Sequence, residues 1–209
     1  MKVVLYGATG NAGARILTEL LTRGHTVIAI VRNQAKIQPQ TGLTIEIGDL
    51  SDSTQIAQAV TGVDAVISAY GPGLNAPDDL IGSTERLVTG VKQSGVPRLL
   101  TVGGAGSLEV SPGVLLLNSP MLPAEWKPIA KAHLEALKVL QASSLDWTCL
   151  APAAFFEPGT RTGVFRLGHD NLIVSEQGES RISMEDYAVA MVDELEKHAH
   201  PRQLFSVGY

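Results

Sequence analysis

The chain has a single cysteine, Cys149, among 209 residues, which excludes an internal disulfide and fits a reducing compartment, so a cytoplasmic location is expected. Cys149 lies in an apolar run and reads as a small buried residue. Basic residues are not in excess: 16 Lys and Arg face 21 Asp and Glu, for a net charge of −5. The basic footprint of a nucleic-acid binder is therefore missing. No apolar run reaches the ~18 residues that a membrane span needs. The apolar stretch before the first glycine, Val3 to Tyr6, is too short to read as a secretion signal. Metal-like clusters are also lacking, and no metal is expected. His198 and His200, near the end of a helical pattern, read as a solvated pair suited to a helix C-terminus. Repeats and low-complexity linkers are absent. With 44% apolar and 18% charged residues, disorder and coiled coil are excluded. Residues 1–209 read as a single domain, with room for a sizeable core.

What is present is an alternation. "KVVLYG" is a short β-rich run, and "NAGARILTELLTRG" follows with Ile16, Leu17, Leu20 and Leu21 at helical spacing and Gly24 as a cap. "HTVIAIVR", "LTIEIGD", "DAVISAYG", "RLLTVGG" and "DWTCLAPA" read as further strands. Helices are expected at 53–61, over "DDLIGSTERLVTGVKQSG", and over "EWKPIAKAHLEALKVLQAS". Near-continuous apolar strands between helices argue an α/β, Rossmann-type, doubly wound parallel sheet. After Pro152 the rhythm changes. Turn signals at Pro158-Gly159, Gly168 to Asn171 and Gln177-Gly178 separate short strands, then come a helix capped by Ser183 and a final strand "QLFSVGY". This small C-terminal region, 153–209, is expected to form part of a substrate-side cap over the C-terminal edge of the sheet.

"GATGNAG" occupies positions 7–13, after the first strand and at the start of the first helix. In that context Gly7 would allow a tight turn, Gly10 would let the backbone meet a pyrophosphate, and Gly13 would let helix and strand pack closely. Thr9 belongs to the same loop, and the amides near Asn11 and Ala12 would face the anion from the helix N-terminus. The fingerprint expects an acid ~20 residues on to accept the ribose 2′-OH of NAD. Arg32 stands there instead, with Lys36 following, so NADP is favoured over NAD. Asp49 and Leu50, after the third strand, would border the adenine; Asp49 would equally serve as a helix cap. Ala69, Tyr70, Gly71 and Gly103 follow the fourth and fifth strands and would border the nicotinamide.

Six segments carry a family resemblance: "MKVVLYGATGNAGARI", "RGHTVIAIVRN", "GVDAVISAYG", "VGGAGSL", "LDWTCLAPAAFFEPGTRTG" and "SRISMEDYAVAMVDELEKHAHPRQLFSVGY". They resemble the NAD(P)H-flavin reductases of the atypical short-chain dehydrogenases. These fall within the NmrA-like, NAD(P)H-binding group that includes the biliverdin-IXβ/flavin reductases. The glycine motif marks only the superfamily; the "SRIS…DYAVA…DELE" tail is more specific. The resemblance implies a Rossmann fold, a nicotinamide cofactor and a soluble bacterial-type enzyme.

One departure bears on the chemistry. Short-chain dehydrogenases of the standard type use Tyr-x-x-x-Lys, whose lysine lowers the tyrosine pKa for proton exchange with a carbonyl or alcohol. Here Lys131 matches the lysine, but Lys127 occupies the tyrosine position. A flavin, a quinone or a similar planar acceptor suits such a site better, because a conjugated ring spreads the negative charge. Lys131 would hold the nicotinamide ribose or belong to a solvated stripe with Lys127, Glu135 and Lys138. Trp126, Ile129, His133, Leu137 and Leu140 form the expected apolar stripe. Ser107 would bond a substrate or serve a turn. Phe155 and Phe156 would stack on a planar ligand or fill the core. The expected function is an NADPH-dependent oxidoreductase. The alternatives are an NADP(H)-binding redox sensor without turnover and, more weakly, a sugar-nucleotide epimerase relative.

Overall fold

In β1 (Lys2–Tyr6) side chains alternate between two faces, and both faces are buried. Val3 and Leu5 join one apolar cluster with Ile16, Leu20, Tyr187 and Met191. Val4 and Tyr6 join another with Ile56, Leu87, Leu137 and Leu140. A strand with two dry faces needs a helix layer on each side. The computed structural model, which describes residues 1–71 and 76–209, supplies both layers.

From β1 the chain runs through α1 (Asn11–Thr22), β2 (Thr26–Val31), β3 (Leu43–Ile47), α2 (Ser53–Val60), β4 (Ala65–Ser68), α3 (Asp79–Ser94) and β5 (Arg98–Val102). Then come β6 (Glu109–Ser111), β7 (Val114–Leu115), α4 (Lys127–Ala142), β8 (Asp146–Pro152), β9 (Phe155–Glu157), β10 (Arg166–Gly168), β11 (Arg181–Ser183), α5 (Met184–Lys197) and β12 (Gln203–Gly208). The main sheet has eight strands in the order β10-β12-β8-β5-β4-β1-β2-β3. All its pairings are parallel except β10 with β12. Helices α1 and α5 cover one face, and α2, α3 and α4 cover the other. This is the expected doubly wound α/β arrangement of Rossmann type. Strand order reverses between β1 and β4, and a fold of this kind opens its ligand crevice outside the strand ends at that point.

Local signals explain the helix limits. Gly95 ends α3 in the left-handed region at φ 74°, a conformation that costs a residue without a Cβ little. Ser183 caps α5 by accepting from the Asp186 amide, at 3.0 Å. No described helix is long and apolar enough to cross a membrane.

Several sequence expectations are corrected. Among the elements after Pro152, β12 lies inside the main sheet between β8 and β10, and α5 packs on the same face as α1. The two-stranded β9–β11 ladder is separate from that sheet. A small β6–β7 hairpin intervenes before α4, where the sequence shows no periodic pattern. Trp126 is 48% exposed and does not join the apolar stripe of α4. It ends a 3-10 turn, Ala124–Trp126, so the α-helical spacing does not extend to it. The buried face of α4 is instead Ala130, Ala132, Ala136, Leu137 and Leu140. His198 is exposed at the C-cap of α5 as expected, but His200 is not solvated. His198 pairs with Asp146 at 2.8 Å, while His200 lies 2.7 Å from Glu194 and stacks flat on Phe205.

Candidate cofactor and active site

The loop between β1 and α1 is built by close backbone approach. Gly7 has φ +79°, and a Cβ there would stand 2.4 Å from the Ala69 carbonyl oxygen. A Cβ on Gly13 would stand 2.0 Å from the Gly7 carbonyl oxygen. Helix α1, the Gly7 turn and the end of β4 thus approach one another closely through main chain. Gly10 differs. It is exposed, and a Cβ there would meet only the Gly7 oxygen, at 3.3 Å. It is also the N-cap of α1 and offers no side chain to the first-turn amides. Those amides, with Thr9 and Asn11 exposed beside them, form an uncapped helix start at the mouth of the crevice. A pyrophosphate fits such a cradle, because free N–H groups and the positive end of the helix dipole point the same way.

Arg32 follows β2 and is exposed. Asp49 follows β3, also exposed, and its carboxylate accepts from the Ser51 amide at 2.8 Å. Hydrogen bonds from Ser51, with smaller contributions from the Arg32 and Arg86 cations, hold the Asp49 carboxyl below the usual carboxylate range. The cap of α2 is Asp52, which accepts from Thr54. Asp49 therefore does not cap that helix: its short side chain is already closed onto the amide two residues ahead. Leu50, next to it, is buried.

On the other side of the switch point, the segment after β5 lies directly against α4. A Cβ on Gly104 would meet His133 Cγ at 2.8 Å, and one on Gly106 would meet Ala130 Cβ at 2.6 Å. Gly103 donates to the Leu150 carbonyl at 2.8 Å. Its missing side chain leaves room for Cys149 Sγ, 2.7 Å from where a Cβ would stand. Burial pushes the Cys149 thiol up to about 11, so the thiol stays protonated and inert. Tyr70 packs between Leu80, Ala132 and Ala136, while Gly71 is exposed, and among the described residues nothing stands near where its Cβ would be. Below these strand ends is a small cavity of about 20 Å³, bordered by Ser68, Thr101, His133 and Cys149. Burial pushes the His133 imidazole down to about 4, so it is neutral at physiological pH.

The remaining candidates separate by exposure. Ser107 is 5% exposed and ends a 3-10 turn in which its amide donates to the Gly104 carbonyl. Lys131 and Lys127 are exposed on α4. Phe156 turns inward, with its ring 4.7 Å from that of Tyr187. Phe155 turns outward, 53% exposed, with the Arg181 guanidinium 5.3 Å from its ring centre.

Two features escaped the sequence reading. Arg161 donates two bonds of 2.8 Å to Glu19, tying the segment after β9 to α1. Asp186, fully buried, accepts from the Thr162 and Gly163 amides, the Thr162 hydroxyl and the Tyr209 hydroxyl. Burial raises the Asp186 carboxyl, but these donors outweigh it and hold the group below its ordinary range. Both links join residues far apart in sequence. The only local trace is Asp186 three positions after the Ser183 cap.

Comparison with known proteins bears on the family of the chain. A family model described as NAD(P)H-binding matches residues 7–198. An uncharacterized Bacillus subtilis protein, YwnB, is 42% identical over 99% of this chain and 98% of its own length. The structure of an inferred epimerase from Bacteroides thetaiotaomicron is 43% identical, with a TM-score of 0.94, and covers 100% of this chain and 96% of that one. An inferred NADH-flavin reductase from Streptococcus pneumoniae is 37% identical, with a TM-score of 0.90, over 100% and 99% of the two chains.

Proposed function

The chain belongs to the NAD(P)H-binding family, and from that membership we propose that it is an NADPH-dependent reductase passing hydride to a flavin, a quinone or a similar planar acceptor. The observation that carries this reading is the lack of a tyrosine fit for proton exchange. The position in α4 that would hold one is Lys127. Of the four tyrosines, Tyr6 and Tyr187 are buried, and Tyr209 donates its hydroxyl to Asp186. Tyr70 is wedged between α3 and α4. A carbonyl substrate would need a positioned acid that these residues do not offer, whereas a conjugated ring delocalises the charge and takes its proton from water.

The parts divide as follows. The first-turn amides of α1 take the pyrophosphate, Arg32 takes the 2′-phosphate, and Asp49 with Leu50 borders the adenine. The backbones at Ala69, Tyr70, Gly71 and Gly103 line the nicotinamide. Bound NADPH supplies the hydride. Lys131 orients the nicotinamide ribose and favours negative charge developing on the acceptor. The exposed face of Phe155 offers a stacking surface for a planar ring. Ser107, at the end of the turn after β5, would bond the acceptor.

The test is an anaerobic screen of NADPH oxidation against flavins, quinones and carbonyls, with NADH alongside. Turnover with a flavin or quinone and none with carbonyls is expected. Efficient carbonyl reduction would overturn the choice of acceptor. The missing tyrosine equally suits a second reading, a sensor of the NADP redox state. Unequal binding of NADP and NADPH with no turnover on any acceptor would favour it.

A further inference from the structure

Arg86 has no part in the machinery so far, yet it reaches into it. It sits half-buried on α3. Its Nε donates to the Leu50 carbonyl at 2.6 Å, and one terminal nitrogen donates to Ser83 Oγ at 3.3 Å. Leu50 lies in the link between β3 and α2, the middle residue of the turn that Asp49 closes onto Ser51. Its carbonyl is thus spoken for by a different element, α3, rather than by the helix that follows it. The room for this arrangement comes from Gly82, where a Cβ would stand only 3.1 Å from Arg86 Nη1.

The two arginines near Asp49 are held differently. Arg32 is exposed after a strand, free to follow a phosphate. Arg86 has committed two nitrogens to protein acceptors, which fixes the direction of its planar fork. A guanidinium held in that way is suited to fixing a wall, not to capturing a mobile anion. The wall in question is the Asp49–Leu50 turn.

Resting on the NADPH reading, we propose that Arg86 is a positioning residue for the adenine end of the cofactor. Through the Leu50 carbonyl it holds the Asp49–Leu50 turn in place, so that the Asp49 carboxylate meets the exocyclic amine and Leu50 borders the ring, with or without a 2′-phosphate. Specificity is then divided: Arg32 reads the phosphate, and Arg86 secures the base.

Calorimetric titration separates the two roles. The ligands are adenosine 2′,5′-bisphosphate, 5′-AMP and reduced nicotinamide mononucleotide. The proteins are the parent, Arg86→Met, Arg86→Lys and Arg32→Met. Arg86→Met is expected to weaken both adenine nucleotides by the same factor, about tenfold, and to leave the mononucleotide unchanged. Arg86→Lys keeps one donor for the Leu50 carbonyl and should recover part of the loss. Arg32→Met should weaken only the bisphosphate. If Arg86→Met does not fold, Gly82→Ala, which crowds the guanidinium, should give the same pattern at smaller size. A loss confined to the bisphosphate would make Arg86 a phosphate contact and overturn the proposal. Equal weakening of the mononucleotide, or no weakening at all, would also overturn it. A parent protein that binds no adenine nucleotide would instead overturn the NADPH reading, and the proposal with it.

Discussion

Gly10 and Gly13 stand three residues apart in one loop, and the structure assigns them separate consequences. A methyl group on Gly13 would stand 2.0 Å from the Gly7 oxygen and 2.7 Å from the Gly7 carbon. Ordinary carbon contacts lie near 3.5–4.0 Å, so the helix and the turn would have to part by more than about 1 Å. Gly7 has no room to yield, since its own α-carbon already faces the Ala69 carbonyl. Overpacking against main chain belongs at the top of its usual range, about 3 kcal/mol. For a chain of this size that lowers Tm by about 6–12 °C. Gly10→Val behaves otherwise. Its Cβ meets one atom at 3.3 Å, and the cost of an unfavourable N-cap residue is about 1 kcal/mol, or about 2–4 °C. The branched side chain would, however, occupy the space in front of the first-turn amides. NADPH binding should therefore be lost with the far-UV circular dichroism spectrum kept. Thermal unfolding followed by circular dichroism, paired with calorimetric titration of NADPH, reads both quantities. The reasoning fails if Gly10→Val binds NADPH as the parent does. It fails equally if Gly13→Ala melts within about 2 °C of the parent.

Three further outcomes are expected. Arg32→Asp should erase or reverse a preference for NADPH over NADH of about 10–150-fold, the value of one charge-assisted hydrogen bond, and equal affinities in the parent would remove the assignment. Lys131→Met should lower turnover with flavin or quinone by about tenfold or more without moving the pH profile, since no tyrosine is being tuned. Lys127→Tyr should not by itself create an alcohol dehydrogenase; an unchanged Lys131→Met rate would return Lys131 to the solvated stripe. Asp186→Asn should destabilise the fold by about 2–3 kcal/mol at neutral pH, because a buried carboxylate accepts all those donors. The Asp186 carboxyl is depressed below its ordinary 3.8, so its stabilisation is complete above that value and lost as pH falls through the lower, folded-state value. The Tm gap between parent and Asp186→Asn should stay constant from pH 7 to about 5 and narrow below 3.8. A gap that widens on acidification would contradict this.

Much of the fold was legible because its periodicity is local. Seven of the eight strands in the main sheet, and the helices between them, appear as local apolar runs closed by turn or cap residues. The glycine loop was legible for the same reason: its spacing, its strand before and its helix after lie within about 20 residues. What sequence did not disclose depends on long-range closure. Glu19 and Arg161 are 142 positions apart, and neither carries a pattern of its own. Arg86 carries no signal in the sequence, because its acceptor is a carbonyl 36 positions earlier. The β6–β7 hairpin has strands of three and two residues, too short to show alternation. Trp126 was misplaced because a helical stripe was extended through a turn that does not have helical spacing.

Strand β10 has a single neighbour in the main sheet, β12, while β12 has two. On a ribosome, residues 166–168 therefore emerge well before anything exists for them to pair with. At about 5–20 residues per second, the wait until residue 203 is made is roughly 2–7 s. Throughout that interval the β8 edge is bare as well, because β12 is its partner on that side. Until β12 is made, the sheet built from the earlier strands ends in an open edge at β8. The strand that closes that edge, β12, recruits β10 in the same act.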